Sequence, residues 1–325
     1  MRTQVIRFNK TGGPEVLSWE EVDVGEPGPG QVLLRQTAIG LNYIDTYHRS
    51  GLYAVPLPSG IGLEGAAVIE KLGAEVSEFK VGDHVAYASA PLGSYAERRL
   101  YPADRLVKIP AGISDRQAAA MMLQGMTVEY LIRRIYAAKP GQTVLLHAAA
   151  GGVGLIASQW LKHLGVTVIG TAGSPEKMEL AKAHGCAHVI DYRKEDVAKR
   201  VRELTGGKGV PVVYDGVGKD TFQGSLDSLS PRGMFVSFGN ASGPVPAFEP
   251  GILATKGSLF FTRPSLIHYT ATRADLLESA NALFDVVGKG AVKIEVNQTY
   301  PLKEAAEAQR DLQQRKTTGS TILLP

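Results

Sequence analysis

Hydrophobic and polar positions follow two different periods along this chain, and the change falls near Ser114. Before it, short apolar or alternating runs at 4–8, 31–38, 66–72 and 84–87 read as strands. Between them stand Gly12-Gly13-Pro14, Gly25-Glu26-Pro27-Gly28-Pro29-Gly30 and Lys80-Val81-Gly82-Asp83, sequences suited to tight turns. Short strands with such punctuation predict a β-rich, barrel-like antiparallel fold. After Ser114, residues 115–136 read as a long helical stretch with a break near Gly125. From Lys139 onward the pattern alternates. Strands are predicted at 143–147, 166–170, 188–191, 210–215 and 234–238, with helices at 152–164, 175–184, 195–204 and 219–229. That rhythm predicts an α/β domain with a parallel sheet and helices on both faces. Unbroken apolar runs such as Val144-Leu145-Leu146 suit strands covered from both sides. A helix at 273–287, a strand at 294–300, a helix at 302–314 and a last strand at 321–324 do not continue the alternation. They are expected to return and complete the amino-terminal domain.

The strand at 143–147 runs into Ala148-Ala149-Ala150-Gly151-Gly152-Val153-Gly154 and then into an apolar helix. Gly151 or Gly152 lets backbone approach a pyrophosphate, with Val153 beside them, and Gly154 lets the helix sit close to the strand. The helix N-terminus adds N–H donors and a partial positive charge. The fingerprint is imperfect, since its first glycine falls at Ala149. A glycine cluster alone also serves as a plain tight turn. The strand before it, the helix after it and the βαβ unit around it make it a dinucleotide loop in a Rossmann domain, a doubly wound parallel sheet. An NAD site usually carries an acid about 20 residues further on, for the ribose 2′-hydroxyl. Here the second strand ends Thr171-Ala172-Gly173-Ser174-Pro175-Glu176-Lys177, with no acid at the tip. Ser174 reads as an N-cap and Pro175 as the first helical residue. Lys177 then lies in the first turn, where a cation opposes the helix dipole; a bound 2′-phosphate reverses that sign. Tyr192, just after the third strand, can pack beside the same phosphate. A solvated lysine and a surface tyrosine are the bland alternatives. NADPH is the expected cofactor.

Composition adds exclusions. A length of 325 residues exceeds one ordinary core and predicts two domains. The net charge of +3 is too small to argue for nucleic acid or an anionic membrane, though it suits an anionic cofactor. No apolar run has the length of a spanning helix, and Met1-Arg2-Thr3-Gln4-Val5-Ile6 has no signal-peptide core. The single cysteine, Cys186, excludes an intramolecular disulfide and any multi-cysteine zinc site, so a cytoplasmic setting is expected. Cys186 has no evident base and reads as a bystander. The 7 histidines show no metal-ligand spacing, and no nucleophile motif for covalent catalysis is present.

Further motifs run the length of the chain: Gly12-Gly13-Pro14-Glu15-Val16-Leu17, Gly40-Leu41-Asn42-Tyr43-Ile44-Asp45-Thr46-Tyr47, Gly62-Leu63-Glu64-Gly65, Val81-Gly82-Asp83-His84-Val85, Tyr214-Asp215-Gly216-Val217-Gly218, Ser237-Phe238-Gly239-Asn240 and Thr262-Arg263-Pro264-Ser265-Leu266. With the phosphate loop, they resemble the zinc-free quinone oxidoreductases, the zeta-crystallin group of the medium-chain dehydrogenase/reductase superfamily. The resemblance implies a GroES-like catalytic domain from 1–126 and 265–325, a Rossmann NADPH-binding domain from 127–264, and a cofactor in the cleft. It also implies a homodimer joined through Rossmann edge strands near 258–261. Asn42 and Tyr47 would then face the nicotinamide and hydrogen-bond the acceptor oxygen, with local turn chemistry as the alternative. Tyr53 would stack on a flat acceptor, or be an ordinary surface aromatic. Thr127 matches a position near the nicotinamide ribose; Val217, Phe238, Gly239 and Ser265 match strand ends that line the cofactor. Arg263 and Arg315 match cationic positions, with Arg315 in reach of the 2′-phosphate. Zinc-dependent alcohol dehydrogenases of the superfamily place a cysteine where this chain has Asn42 and a histidine where it has Leu63. An amide is a poor zinc ligand and leucine is none, so no metal is expected. Hydride transfer to a quinone needs none, because the aromatic ring delocalises the developing charge. An NADPH-dependent 2-alkenal or enone reductase is the second reading. A non-catalytic NADPH-binding protein, crystallin-like or RNA-binding, is the third, and the weak net charge and lack of a basic–aromatic motif speak against it.

Overall fold

The alternation from Lys139 onward folds as a wholly parallel six-stranded sheet in the computed structural model, which describes all 325 residues. Across the sheet the strands run His188–Asp191, Thr167–Ala172, Thr143–Leu146, Val210–Asp215, Leu229–Ser237 and Phe260–Thr262. The chain winds outward in one direction from Thr143–Leu146 and in the other from Val210–Asp215. The carboxyl ends of those two strands therefore mark the topological switch point. Leu145, Ile169, Ile190, Val213 and Phe235 form one buried cluster, extended by the rings of Phe222, Phe248 and Phe261. This unit comprises Thr127–Tyr269 and Lys289–Lys293.

The other unit comprises Met1–Met126, Thr270–Gly288 and Ile294–Pro325. Its main sheet has seven strands. Gln31–Leu41 lies at the centre and pairs antiparallel with Glu64–Leu72, Arg98–Pro102 and Ser320–Leu324. Val296–Pro301 adds the one parallel pairing, on Ser320–Leu324. Arg2–Phe8 forms a smaller sheet with Ser18–Asp23 and Ser59–Gly60. Ile6, Phe8, Ile39 and Leu323 belong to one apolar cluster of this unit; Val32, Leu34, Ile69 and Tyr101 belong to another.

Local features also differ from the sequence reading. The helical stretch breaks at Ala120–Met121, between Asp115–Ala119 and Met122–Glu129, and not at Gly125. Gly125 is there for contact: a Cβ would run into the side chain of Leu283. Helix Tyr43–Ser50 has no counterpart in the apolar pattern, because it buries Asp45, Thr46, Tyr47 and Arg49. No helix is long and apolar enough to cross a membrane.

Candidate functional site

Asn42 precedes the first turn of Tyr43–Ser50 in an extended conformation, and Asp45 reaches back to accept its backbone N–H at 2.9 Å. That local cap leaves the Asn42 side chain for longer-range work. Its Nδ2 donates to Glu64 Oε2 at 2.6 Å, and its Oδ1 accepts from Gln124 Nε2 at 3.2 Å. The other Glu64 oxygen accepts the Leu123 N–H at 2.8 Å. Ser320 Oγ, on the final strand, contacts Gln124 Oε1 at 2.8 Å and the Ala120 carbonyl at 2.7 Å. Asn42, Glu64, Gln124 and Ser320 thus form one buried polar chain. Gly40 makes room for it, since a Cβ there would strike the Glu64 carboxylate. Burial pushes the Glu64 pKa up to about 8, against the pull of the Asn42 and Leu123 donors. Asp45 accepts from Tyr95 Oη at 2.8 Å, and burial pushes its pKa up to about 7. The spacing Asn42-x-x-Asp45 is that of a helix cap; the roles of Glu64, Gln124 and Ser320 are read from contacts alone.

Tyr47 and Tyr53 come together edge-on, with ring centroids 5.3 Å apart, and the Tyr53 N–H donates to the Tyr47 carbonyl. The Tyr43 ring centroid lies 6.4 Å from that of Tyr47. The three rings form one aromatic cluster that follows Asn42 in the chain. Arg315 belongs to the same unit, exposed just past helix Ala305–Gln313, and holds the left-handed conformation at φ 61°. A non-glycine residue there stores about 1 kcal/mol or more of strain.

The remaining candidates lie in the parallel-sheet unit. Because every strand points the same way, each strand's carboxyl end opens on one edge. Gly151, Gly152 and Val153 follow Thr143–Leu146; Gly173, Ser174 and Lys177 follow Thr167–Ala172; Tyr192 follows His188–Asp191. Val217 follows Val210–Asp215, Phe238 and Gly239 follow Leu229–Ser237, and Arg263 and Ser265 follow Phe260–Thr262. Thr127 is apart from this series, buried on Met122–Glu129.

Geometry at this edge fits an anionic dinucleotide. No side chain caps helix Gly152–His163, so its first-turn amides keep their donors for a ligand. A Cβ at Gly154 would collide with the Ala148 and Ala149 carbonyl oxygens, so glycine holds helix and loop together. Ser174 caps the next helix by accepting the Lys177 N–H at 3.3 Å, with Pro175 in its first turn. Tyr192 is 40% exposed and packs over Gly173, where a Cβ would meet its hydroxyl. Asp215 accepts the N–H groups of Val217 and Gly218 at 2.8 and 3.0 Å, which fixes the adjacent loop. Cys186 is buried against Ser158, and burial pushes its thiol up to about 11. It has the environment of an inert core thiol.

An uncapped helix at the switch point of a doubly wound sheet, in a chain that also carries a β-rich unit, fits a nucleotide-dependent oxidoreductase. Residues 28–111 match the model of the alcohol dehydrogenase GroES-like domain, and residues 152–285 match that of the zinc-binding dehydrogenases. A quinone oxidoreductase of Pseudomonas aeruginosa is 56% identical over 321 residues, spanning 98% of this chain and 99% of that protein. The Escherichia coli quinone oxidoreductase solved in complex with NADPH superposes with a TM-score of 0.98 at 49% identity, covering 99% of this chain and 100% of the other. A 2-haloacrylate reductase from a Burkholderia species is 50% identical, over 98% of both chains. The chain belongs to the quinone oxidoreductase family of the medium-chain dehydrogenase/reductases.

Proposed function

We propose that this protein is an NADPH-dependent quinone reductase that moves hydride to a quinone without a metal. The observation that carries the second half of that statement is the fate of Asn42. Its amide stands where zinc members hold a thiolate, and both of its polar atoms are tied to Glu64 and Gln124. Leu63 offers no ligand, and no three His, Cys, Asp or Glu side chains cluster closely enough to hold a metal ion. Bound NADPH supplies the hydride from its nicotinamide. The chain's own contribution is placement. Gly151, Gly152 and Val153 hold the pyrophosphate. Gly173, Ser174, Lys177, Tyr192 and Arg315 hold the phosphorylated ribose; Thr127, Val217, Phe238, Gly239 and Ser265 line the rest. Asn42 and Tyr47 orient the nicotinamide and offer hydrogen bonds to the acceptor oxygen, while Tyr53 and Arg263 border the acceptor.

In this reading the β-rich unit is catalytic and the parallel-sheet unit binds the cofactor. Phe260, 58% exposed on the outermost strand of the parallel sheet, supports a homodimer through that edge. A cytoplasmic location fits the lone, buried cysteine. The 2-haloacrylate reductase relative favours one rival, conjugate reduction of an activated alkene. Steady-state NADPH oxidation against quinones, alkenals and alcohols separates them. Turnover with quinones well above alkenals supports the proposal, and the reverse order replaces it.

A further inference from the structure

A second buried chain, in the parallel-sheet unit, joins two of its carboxyl-end loops through a histidine. His147 follows the central strand Thr143–Leu146 and is 3% exposed. Its Nδ1 lies 3.2 Å from Thr171 Oγ1, and its Nε2 lies 3.0 Å from Ser225 Oγ. Thr171 Oγ1 accepts the Ala148 N–H at 3.2 Å. Ser225 Oγ donates to Asp215 Oδ2 at 2.8 Å, while Asp215 Oδ1 accepts the Val217 and Gly218 N–H groups. All of these side chains are buried.

Hydrogen counting sets the direction of every link. A serine hydroxyl has one proton, and the carboxylate, the stronger acceptor, takes it. Ser225 can then only accept from His147, so Nε2 carries the ring proton. A charged ring would protonate Nδ1 as well and leave the buried Thr171 hydroxyl proton without an acceptor, so the ring is neutral and Thr171 donates to Nδ1. Thr171 Oγ1 in turn accepts from Ala148, which has only an N–H to give. The chain runs one way, from the Ala148 N–H to the Asp215 carboxylate. Burial pulls the His147 pKa down, against the opposing pull of Asp215 at 4.0 Å, in the sense that keeps the ring neutral.

Ala148 is the residue this chain grips, and it opens the glycine-rich loop at φ 53°, in the left-handed region. For a residue with a Cβ, that conformation persists only where surrounding contacts impose it. Thr171 supplies two of them, through its hydroxyl to the Ala148 N–H and its carbonyl to the Ala149 N–H at 3.0 Å. At the other end, Asp215 fixes the loop that carries Val217.

We propose that His147 is a positioning residue for cofactor binding, held as its neutral Nε2–H tautomer, which locks the glycine-rich loop to the Val217 loop. The proposal rests on the reading of this sheet edge as the NADPH site. Thr171→Val keeps the side chain's shape, removes its hydroxyl and leaves the Ala148 N–H and His147 Nδ1 unpaired. Its NADPH dissociation constant should rise about five- to fiftyfold. Thr171→Ser should restore wild-type affinity, and the quinone KM should stay unchanged in both. Ile190→Val, a core truncation in the same sheet, controls for lost stability and should leave NADPH affinity unchanged. Side-chain 15N NMR of the wild-type protein, with His147→Gln used to assign the resonances, should show a protonated Nε2 and a bare Nδ1. An Nδ1–H tautomer or an imidazolium at neutral pH would overturn the proposal, whatever the variants do. So would NADPH affinity that is equal in wild type and Thr171→Val, or an equal loss in Ile190→Val. Failure of the wild type to bind NADPH would overturn the underlying site reading, and the positioning role with it.

Discussion

Glu64→Gln tests the polar chain at Asn42 without emptying any space. Burial lifts the Glu64 pKa from 4.5 to about 8. Between those values the folded protein holds a proton that the unfolded chain has lost. Stability from this group is therefore fully present below about pH 4.5 and lost as pH rises through about 8. Each unit of that span is worth about 1.4 kcal/mol, so the whole is on the order of 4–5 kcal/mol. Asp45, lifted to about 7, adds a loss of the same sign that the variant retains. Glutamine carries no such proton, and the chain can accommodate its amide. The introduced amide oxygen takes the Leu123 N–H; the introduced NH2 requires Asn42 to turn its amide over, and Gln124 then turns as well. Gln124 Nε2 finally donates to Ser320 Oγ, which still donates to the Ala120 carbonyl. Every group stays paired. Denaturant titrations at about pH 5 and about pH 9 measure the effect: Glu64→Gln should lose at least about 2 kcal/mol less than wild type between them. Equal losses in the two proteins would refute the reasoning.

Lys177→Ala should weaken NADPH about ten- to a hundredfold in dissociation constant, while leaving NADH nearly unaffected, since only NADPH carries the 2′-phosphate. Arg315→Ala should act in the same direction; equal losses for both cofactors would assign these residues to folding. Asn42→Ala and Tyr47→Phe should each lower quinone turnover by about one to two orders of magnitude and no more, because a positioned hydrogen bond is worth a few kcal/mol. Complete loss in folded Tyr47→Phe protein would make Tyr47 an obligatory proton donor. Activity should survive exhaustive chelation, and zinc-restored activity after its loss would defeat the metal-free mechanism.

The parallel-sheet half was legible in the sequence because its signals are local. Apolar runs mark strands covered on both faces, Ala148–Gly154 joins a strand to a helix, and Ser174-Pro175 opens the next helix within three residues of its own cap. The strand Ser18–Asp23 was missed, although its residues alternate between half-buried and exposed, because Ser and Glu occupy much of it. Helix Tyr43–Ser50 was missed for a related reason: its buried face is polar, so no apolar period betrays it. What makes that face stable comes from far along the chain. Asp45 meets Tyr95, and Arg49 meets Gln313 across 264 residues. Gly125 looked like a helix break, yet it serves a contact with Leu283. Hydrophobic burial repeats with the backbone and so leaves a period in the sequence, whereas a buried hydrogen bond needs one partner at one distance, and only the folded chain supplies it.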